Sequence, residues 1–242
     1  MALHFVVESA SDAGEGSIVT LTGAEAKHAA VVRRVRVGEA VTIGDGAGVW
    51  LEGEAVDVSA SRVDVRVMRR VVRERPSPRL VLVQALAKGD RDELAVQASC
   101  ELGVDEIVPW QAARSISRWE GPKAVKGRER WASIVREAAK QAHRAWVPEV
   151  SSVSSTAQVI ARAAEQRVLV LDPTADDRLS AVEPDGRDLV LVVGPEGGIS
   201  ADELERLASA GAERVRLGDT VLRTSTAGPA AIAVLSARLG RW

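Results

Sequence analysis

Five consecutive apolar residues, Leu189-Val190-Leu191-Val192-Val193, end on the turn Gly194-Pro195-Glu196-Gly197-Gly198-Ile199-Ser200. A strand with no polar face must be covered on both sides, which points to a parallel sheet between helices. Ser200-Ala201-Asp202-Glu203 has the form of a capping box, so a helix begins there and residues 194–199 are the connecting turn. The pattern recurs downstream. Val215-Arg216-Leu217 runs into Gly218-Asp219-Thr220-Val221-Leu222-Arg223-Thr224, and Ala230-Ala231-Ile232-Ala233-Val234-Leu235 is a plain helix former. Two loops at the carboxyl ends of strands are where an open α/β sheet forms its ligand crevice. The first loop is neither G-x-G-x-x-G nor a P-loop, since no Gly-Lys-Ser/Thr follows. Its glycines alone leave open a tight turn or a ligand loop.

Upstream the same alternation holds. Leu80-Val81-Leu82-Val83, Ile107-Val108 and Val168-Leu169-Val170-Leu171 read as strands. Leu94, Ala98, Glu101 and Leu102 follow helical spacing and stop at Gly103. Trp131, Ile134, Val135, Ala138, Ala142 and Ala145 form the apolar stripe of a long helix predicted to end before Pro148. Before Arg73-Glu74-Arg75-Pro76-Ser77-Pro78 the character changes. Arg62-Val63-Asp64-Val65-Arg66-Val67 alternates as a strand with one wet face does, and Gly44-Asp45-Gly46-Ala47-Gly48 sits between two short apolar runs as a hairpin turn. One helix is expected over Glu25 to Arg34. The expected organisation is a small β-barrel domain over 1–73, a linker over 74–78 and an α/β domain over 79–242.

The formal net charge of -2 argues against a wholly basic nucleic-acid coat protein but permits a local patch. Between residues 114 and 144 the cations are Arg114, Arg118, Lys123, Lys126, Arg128, Arg130, Arg136, Lys140 and Arg144, against Glu120, Glu129 and Glu137. On a continuous helix Arg136, Lys140, His143 and Arg144 share one face, opposite Trp131. Lys27, Arg33, Arg34 and Arg36 form a second basic group. Cys100 is the single cysteine and His4, His28 and His143 are scattered, so no metal site is expected. No signal-peptide pattern opens the chain and no run approaches the roughly 18 apolar residues of a membrane span, so a cytoplasmic protein with no membrane partner is expected.

The two loops, with Leu222-Arg223-Thr224-x-Thr226-Ala227 completing the second, resemble the signature loops of SPOUT-superfamily RNA methyltransferases, and more narrowly those of the RsmE family. The likeness runs the length of the chain: Leu86-Ala87-Lys88-Gly89-Asp90-Arg91, Glu101 to Pro109, Glu137 to Arg144 with Pro148, and His28 to Arg34 are similar to successive family motifs. Two positions depart from the pattern. Ser225 stands where a Glu is usual, and Ala98 or Ser99 where a Lys is usual. These bear on any role needing a carboxylate or an ammonium there, not on the glycine loops.

The resemblance implies a SPOUT-type α/β domain with a deep trefoil knot, one of the rare exceptions to unthreaded topology, preceded by a small PUA-like β-barrel domain. It implies S-adenosylmethionine held by Leu171, Gly194, Glu196, Gly198, Leu217, Gly218, Leu222, Thr226 and Ala227, and a homodimer acting on 16S ribosomal RNA of the small ribosomal subunit, at N3 of a uridine. Arg223 is the candidate catalytic donor to the base or its phosphate. Arg33, Arg34, Arg136, Lys140 and Arg144 are the expected RNA contacts. Two alternatives stay open: an assembly factor that keeps the fold without the chemistry, and a methyltransferase acting at another RNA position.

Overall fold

The computed structural model describes residues 2–242 as two compact units. The first comprises the chain up to Arg75 together with Ala139–Val147. Its five strands are β1 (Leu3–Val6), β2 (Ile18–Thr22), β3 (Ala40–Gly44), β4 (Val49–Val58) and β5 (Arg62–Val72), in the order β1-β3-β4-β5-β2. β1 runs parallel to β3, and the other pairs are antiparallel. The alternation in β5 does what a period of two demands: Val63, Val65 and Val67 are buried with Phe5, Leu21, Ile43 and Leu51 in one core. Asp45 shapes the β3–β4 turn by accepting from the N–H groups of Ala47 and Val49. The helix expected over Glu25 to Arg34 is α1 (Gly23–Lys27) continued by a π-helical stretch, His28–Val32, after which Arg34 takes a left-handed φ of 55°.

The second unit, Pro76–Ala138 with Pro148–Trp242, holds β6 (Leu80–Ala85), β7 (Glu106–Trp110), β8 (Glu149–Val150), β9 (Arg167–Leu171), β10 (Leu189–Val193) and β11 (Glu213–Val215). All are parallel, in the order β11-β9-β10-β6-β7-β8. Every residue of β6 and β10 is buried, as their apolar runs require, Gln84 of β6 being the one polar residue among them. The helices are α2 (Arg91–Glu101), α3 (Pro122–Gln141), α4 (Thr156–Ala161), α5 (Ala201–Ser209) and α6 (Thr224–Arg238). No helix among the described residues is long and apolar enough to cross a membrane.

One expectation is corrected. The long helix does end before Pro148, but already at Gln141, short of Ala142 and Ala145: His143 takes a left-handed φ of 53°, and the Arg144 N–H returns to the Ala139 carbonyl. Residues 145–147 then pair with the β3–β4 turn through Gly48 N–H to Ala145 O and Val147 N–H to Gly46 O. Ala142 and Ala145 are therefore not part of a helical stripe. Part of the apolar face of α6 packs inside the chain. Ala231, Ile232 and Leu235 are fully buried, and α6 lies on α2, β6 and β10. Gly228 makes that approach possible, since a Cβ there would stand 3.0 Å from Leu82 Cδ1.

Candidate functional site

β11, β9 and β10 are neighbours, so Val215, Leu171 and Val193 end side by side and their loops enclose one cleft of about 360 Å³. Its wall is made by residues 171–174 after β9, by Val193 to Glu196 with Gly198 and Ile199 after β10, and by Val215 to Gly218 with Thr220 to Leu222 after β11. Leu204, Thr224 and Ala227 close it. Of the nine residues expected to hold a cofactor, Leu171, Gly194, Glu196, Gly198, Leu217, Gly218, Leu222 and Ala227 lie in this wall. Thr226 does not line the cleft; it is exposed, while Thr224 takes the inward place in the same turn.

The glycine turn is tied down on several sides. Gly198 has a left-handed φ of 71° and donates its N–H to the Pro195 carbonyl at 2.8 Å. Glu196 Oε1 accepts from the Lys88 N–H and from Arg91 Nη1, each at 3.1 Å. Arg114 Nη1 donates to the Gly197 carbonyl at 3.0 Å, and Thr224 Oγ1 to the Gly194 carbonyl at 2.9 Å. The capping box at Ser200 forms as expected, with both reciprocal contacts present. Glu203 reaches further, accepting from the Ala113 N–H and the Thr156 hydroxyl at 2.8 Å each. Burial works to raise the Glu203 carboxyl, but the hydrogen bonds from Ala113, Thr156 and Ser200 outweigh it and hold the group below its ordinary range.

The cleft has the electrostatics of a site for a cationic, largely apolar molecule. It contains no lysine, and its one cation, Arg216, pairs with Asp219 at 2.9 Å. Asp172 contributes negative charge: burial would raise it, but the Thr174 N–H and hydroxyl and then Arg214 hold it ionised below the usual carboxylate range. Leu171, Val193, Ile199, Leu204, Leu217 and Leu222 supply apolar wall. A triphosphate would meet two carboxylates here and no ammonium. A sulfonium nucleoside meets arginine-paired carboxylates, apolar surface and a backbone that glycine leaves open at Gly218, where a Cβ would touch nothing within 4 Å.

Arg223 occupies the cap position of α6 and is exposed; its guanidinium pairs with no carboxylate among the described residues. Arg33 and Arg34 are exposed at the π-helical turn, and Arg136 is exposed on α3. Lys140 is corrected: it is only 4% exposed, and its Nζ lies 2.8 Å from Glu25 Oε1, so it is part of the first unit's interior. Arg144 follows the helix end and is half-buried. Asp172, Thr174 and Thr224 were missed from the sequence. The first two lie within three residues of Leu171, and the Asp172-Pro173 turn was the available signal.

A family model described as RNA methyltransferase domain matches residues 73–236, and one described as RNA methyltransferase PUA domain matches residues 21–68. The fold and cleft thus define an RNA methyltransferase carrying a PUA domain. Ribosomal RNA small subunit methyltransferase E of Mycobacterium tuberculosis (strain CDC 1551 / Oshkosh) is 40% identical over 248 residues, covering 100% of this chain and 94% of the relative. The enzyme of the same name from Bacillus subtilis (strain 168) is 32% identical, covering 98% and 96%. The crystal structure of the Neisseria gonorrhoeae protein of that name, bound to S-adenosyl methionine, has a TM-score of 0.88 at 30% identity and covers 98% of each chain. A putative methyltransferase from Legionella pneumophila in complex with bound SAM has a TM-score of 0.84 at 30% identity, covering 98% and 96%. The chain belongs to the ribosomal RNA small subunit methyltransferase E family.

Proposed function

We propose that this protein is an S-adenosylmethionine-dependent methyltransferase acting on N3 of a uridine in 16S ribosomal RNA of the small subunit, as a homodimer in the cytoplasm. The carrying observation is the lysine-free cleft that the two loops build together, lined by Leu171, Gly194, Glu196, Gly198, Leu217, Gly218, Leu222 and Ala227. These residues would hold the cofactor, which supplies an electrophilic methyl group on sulfur. Related proteins crystallised with S-adenosyl methionine support the reading.

An imide nitrogen attacks poorly while it keeps its proton, so charge developing on the uracil carbonyls must be met by a fixed donor. Arg223, exposed and unpaired beside the cleft residues Leu222 and Thr224, is the donor we assign, to the base or its flanking phosphate. The nearby carboxylates are engaged: Glu196 with Lys88 and Arg91, Asp219 with Arg216. Orientation and this donor supply most of the acceleration, and the N3 proton passes to solvent water as the charge spreads onto the uracil carbonyls. The exposed Arg33, Arg34 and Arg136, and the half-buried Arg144, serve the RNA backbone.

The test is methyl transfer from labelled cofactor to small subunits, with cofactor binding measured by calorimetry on the same preparations. Arg223→Ala is expected to lower turnover by about a hundredfold, the scale of losing one charge-stabilising donor, with cofactor affinity unchanged. Equal turnover removes Arg223 from the mechanism; no heat of cofactor binding in the unsubstituted chain removes the cleft assignment.

A further inference from the structure

The Gly194 carbonyl stands where β10 gives way to the glycine turn, in the wall of the cleft, and a side chain holds it. Thr224 Oγ1 donates to it at 2.9 Å. Behind the threonine lies Gln84, on β6 and fully buried, whose Nε2 is 2.9 Å from Thr224 Oγ1 and 3.2 Å from the Ala85 carbonyl. Hydrogen-bond chemistry fixes the direction of this chain. A backbone carbonyl has no hydrogen, so the amide atom facing Ala85 O must be the NH₂ of Gln84. A threonine hydroxyl has one hydrogen. Accepting from Gln84 leaves that hydrogen for the Gly194 carbonyl and for nothing else.

Gln84 is out of keeping with its strand. Leu80, Val81, Leu82, Val83 and Ala85 are all apolar, and its own Oε1 is buried without a partner. A buried, unpaired carbonyl costs stability, so a residue kept only to fill space there would be apolar too. Gly194 also needs holding. Glycine has the widest choice of backbone angles, and the peptide that follows it belongs to Pro195, which has no N–H. Its carbonyl is the only polar handle by which that peptide can be held.

We propose that Gln84 is a positioning residue for the cleft: it directs the Thr224 hydroxyl onto the Gly194 carbonyl and so sets the angle at which the glycine turn leaves β10. This rests on the cleft being the cofactor site. The relay preorganises one wall, and its loss appears as weaker cofactor binding rather than as lost chemistry.

The experiment is a double-mutant cycle in the full chain, read as calorimetric affinity for S-adenosylmethionine and its demethylated product and as cofactor KM against kcat. Thr224→Val keeps the shape and removes the donor; Gln84→Met keeps the volume and removes the NH₂. Thr224→Val is expected to weaken binding about tenfold and Gln84→Met about threefold, with kcat at saturating cofactor held within about twofold, as for loss of buried hydrogen bonds remote from the transferred methyl. Thr224→Ser should restore affinity. Because Gln84 acts through Thr224, Gln84→Met should cost nothing further in the Thr224→Val background. Full additivity of the two losses, or wild-type affinity in both single variants, overturns the relay while leaving the cofactor site standing. Absence of binding by the unsubstituted chain overturns the cofactor site itself, and the relay's purpose with it.

Discussion

Glycine at 194 and glycine at 218 both line the cleft, yet for different reasons. A Cβ at 194 would stand 2.7 Å from Ile199 Cγ1 and 3.2 Å from the Ile199 nitrogen, so the turn itself demands glycine. At 218 a Cβ meets nothing within 4 Å and φ lies outside the left-handed region, so the fold makes no such demand. Gly194→Ala is expected to destabilise the chain by about 1–3 kcal/mol, the scale of overpacking. Gly218→Ala should leave the melting temperature in place and weaken cofactor binding, because the methyl occupies space a ligand uses. Thermal melts and calorimetry on the same two variants check this; normal binding by Gly218→Ala takes that residue out of the contact set. Both glycines were legible in the sequence as loop residues, but the difference between them depends on what stands opposite. His4 shows the same limit. It stacks on Trp50 with ring centroids 4.2 Å apart, and its pKa is pushed down to about 4, first by burial and then by the charges of His143 and Lys140. The unfolded chain takes up this proton near pH 6.5 and the folded one only near 4, so stability is fully present above 6.5 and falls as pH drops through that window. The loss attributable to His4 is roughly 3 kcal/mol in total. Urea midpoints measured from pH 7 to 5 should decline less steeply in His4→Phe than in the unsubstituted chain; equal slopes would clear His4 of the effect.

Elements were legible where their periodicity was local and misread where a distant partner decided the outcome. The capping box at Ser200 and the buried strands β6 and β10 follow from adjacent residues, and all three stand as read. The end of α3 did not. Arg136, Lys140 and Arg144 share a face only if the helix continues, but it stops at Gln141. Lys140 turns instead to Glu25, a residue 115 positions away that no helical period reveals. Local reading serves better for the turn after α1. From Lys27 to Gly38 there is no acidic residue, and the π-helical stretch with left-handed Arg34 leaves Arg33, Arg34 and Arg36 exposed beside Val31, Val32 and Val37. Basic and apolar side chains together suit RNA, whose phosphates and bases take one each. Arg33→Ala and Arg34→Ala are each expected to weaken RNA binding and to lower the slope of log affinity against log salt by about 0.7–0.9 per lost phosphate contact. Filter binding across a salt series checks this, and an unchanged slope in both variants assigns the RNA surface elsewhere.

Across the whole molecule the chain divides where prolines 76 and 78 break its pattern, between Arg75 and Pro76, but the first unit is completed by residues from the middle of the sequence. Nothing in residues 139–147 announces that return, because the evidence for it is pairing rather than composition. Ala47 bridges Trp146, the Trp146 indole N–H donates to the Arg73 carbonyl at 2.9 Å, and Lys140 closes on Glu25. Gly48 shows how tightly the segment is seated: a Cβ there would fall 2.8 Å from the Trp146 ring and 2.7 Å from the Arg73 carbonyl. A domain of this size has little core to spare, and removing one partner of a buried ion pair alone costs about 3–5 kcal/mol. A fragment ending at Arg75 strands the Glu25 carboxylate, bares Trp50 and His4, and leaves the β3–β4 turn unpaired. Its urea midpoint by far-ultraviolet circular dichroism should therefore lie well below that of the same fragment carrying residues 139–147 on a flexible Gly/Ser linker. In the longer fragment, Lys140→Met should reproduce most of the loss. Equal midpoints for the two fragments would mean that the first seventy-five residues hold their own fold and that the returning segment merely rests on it.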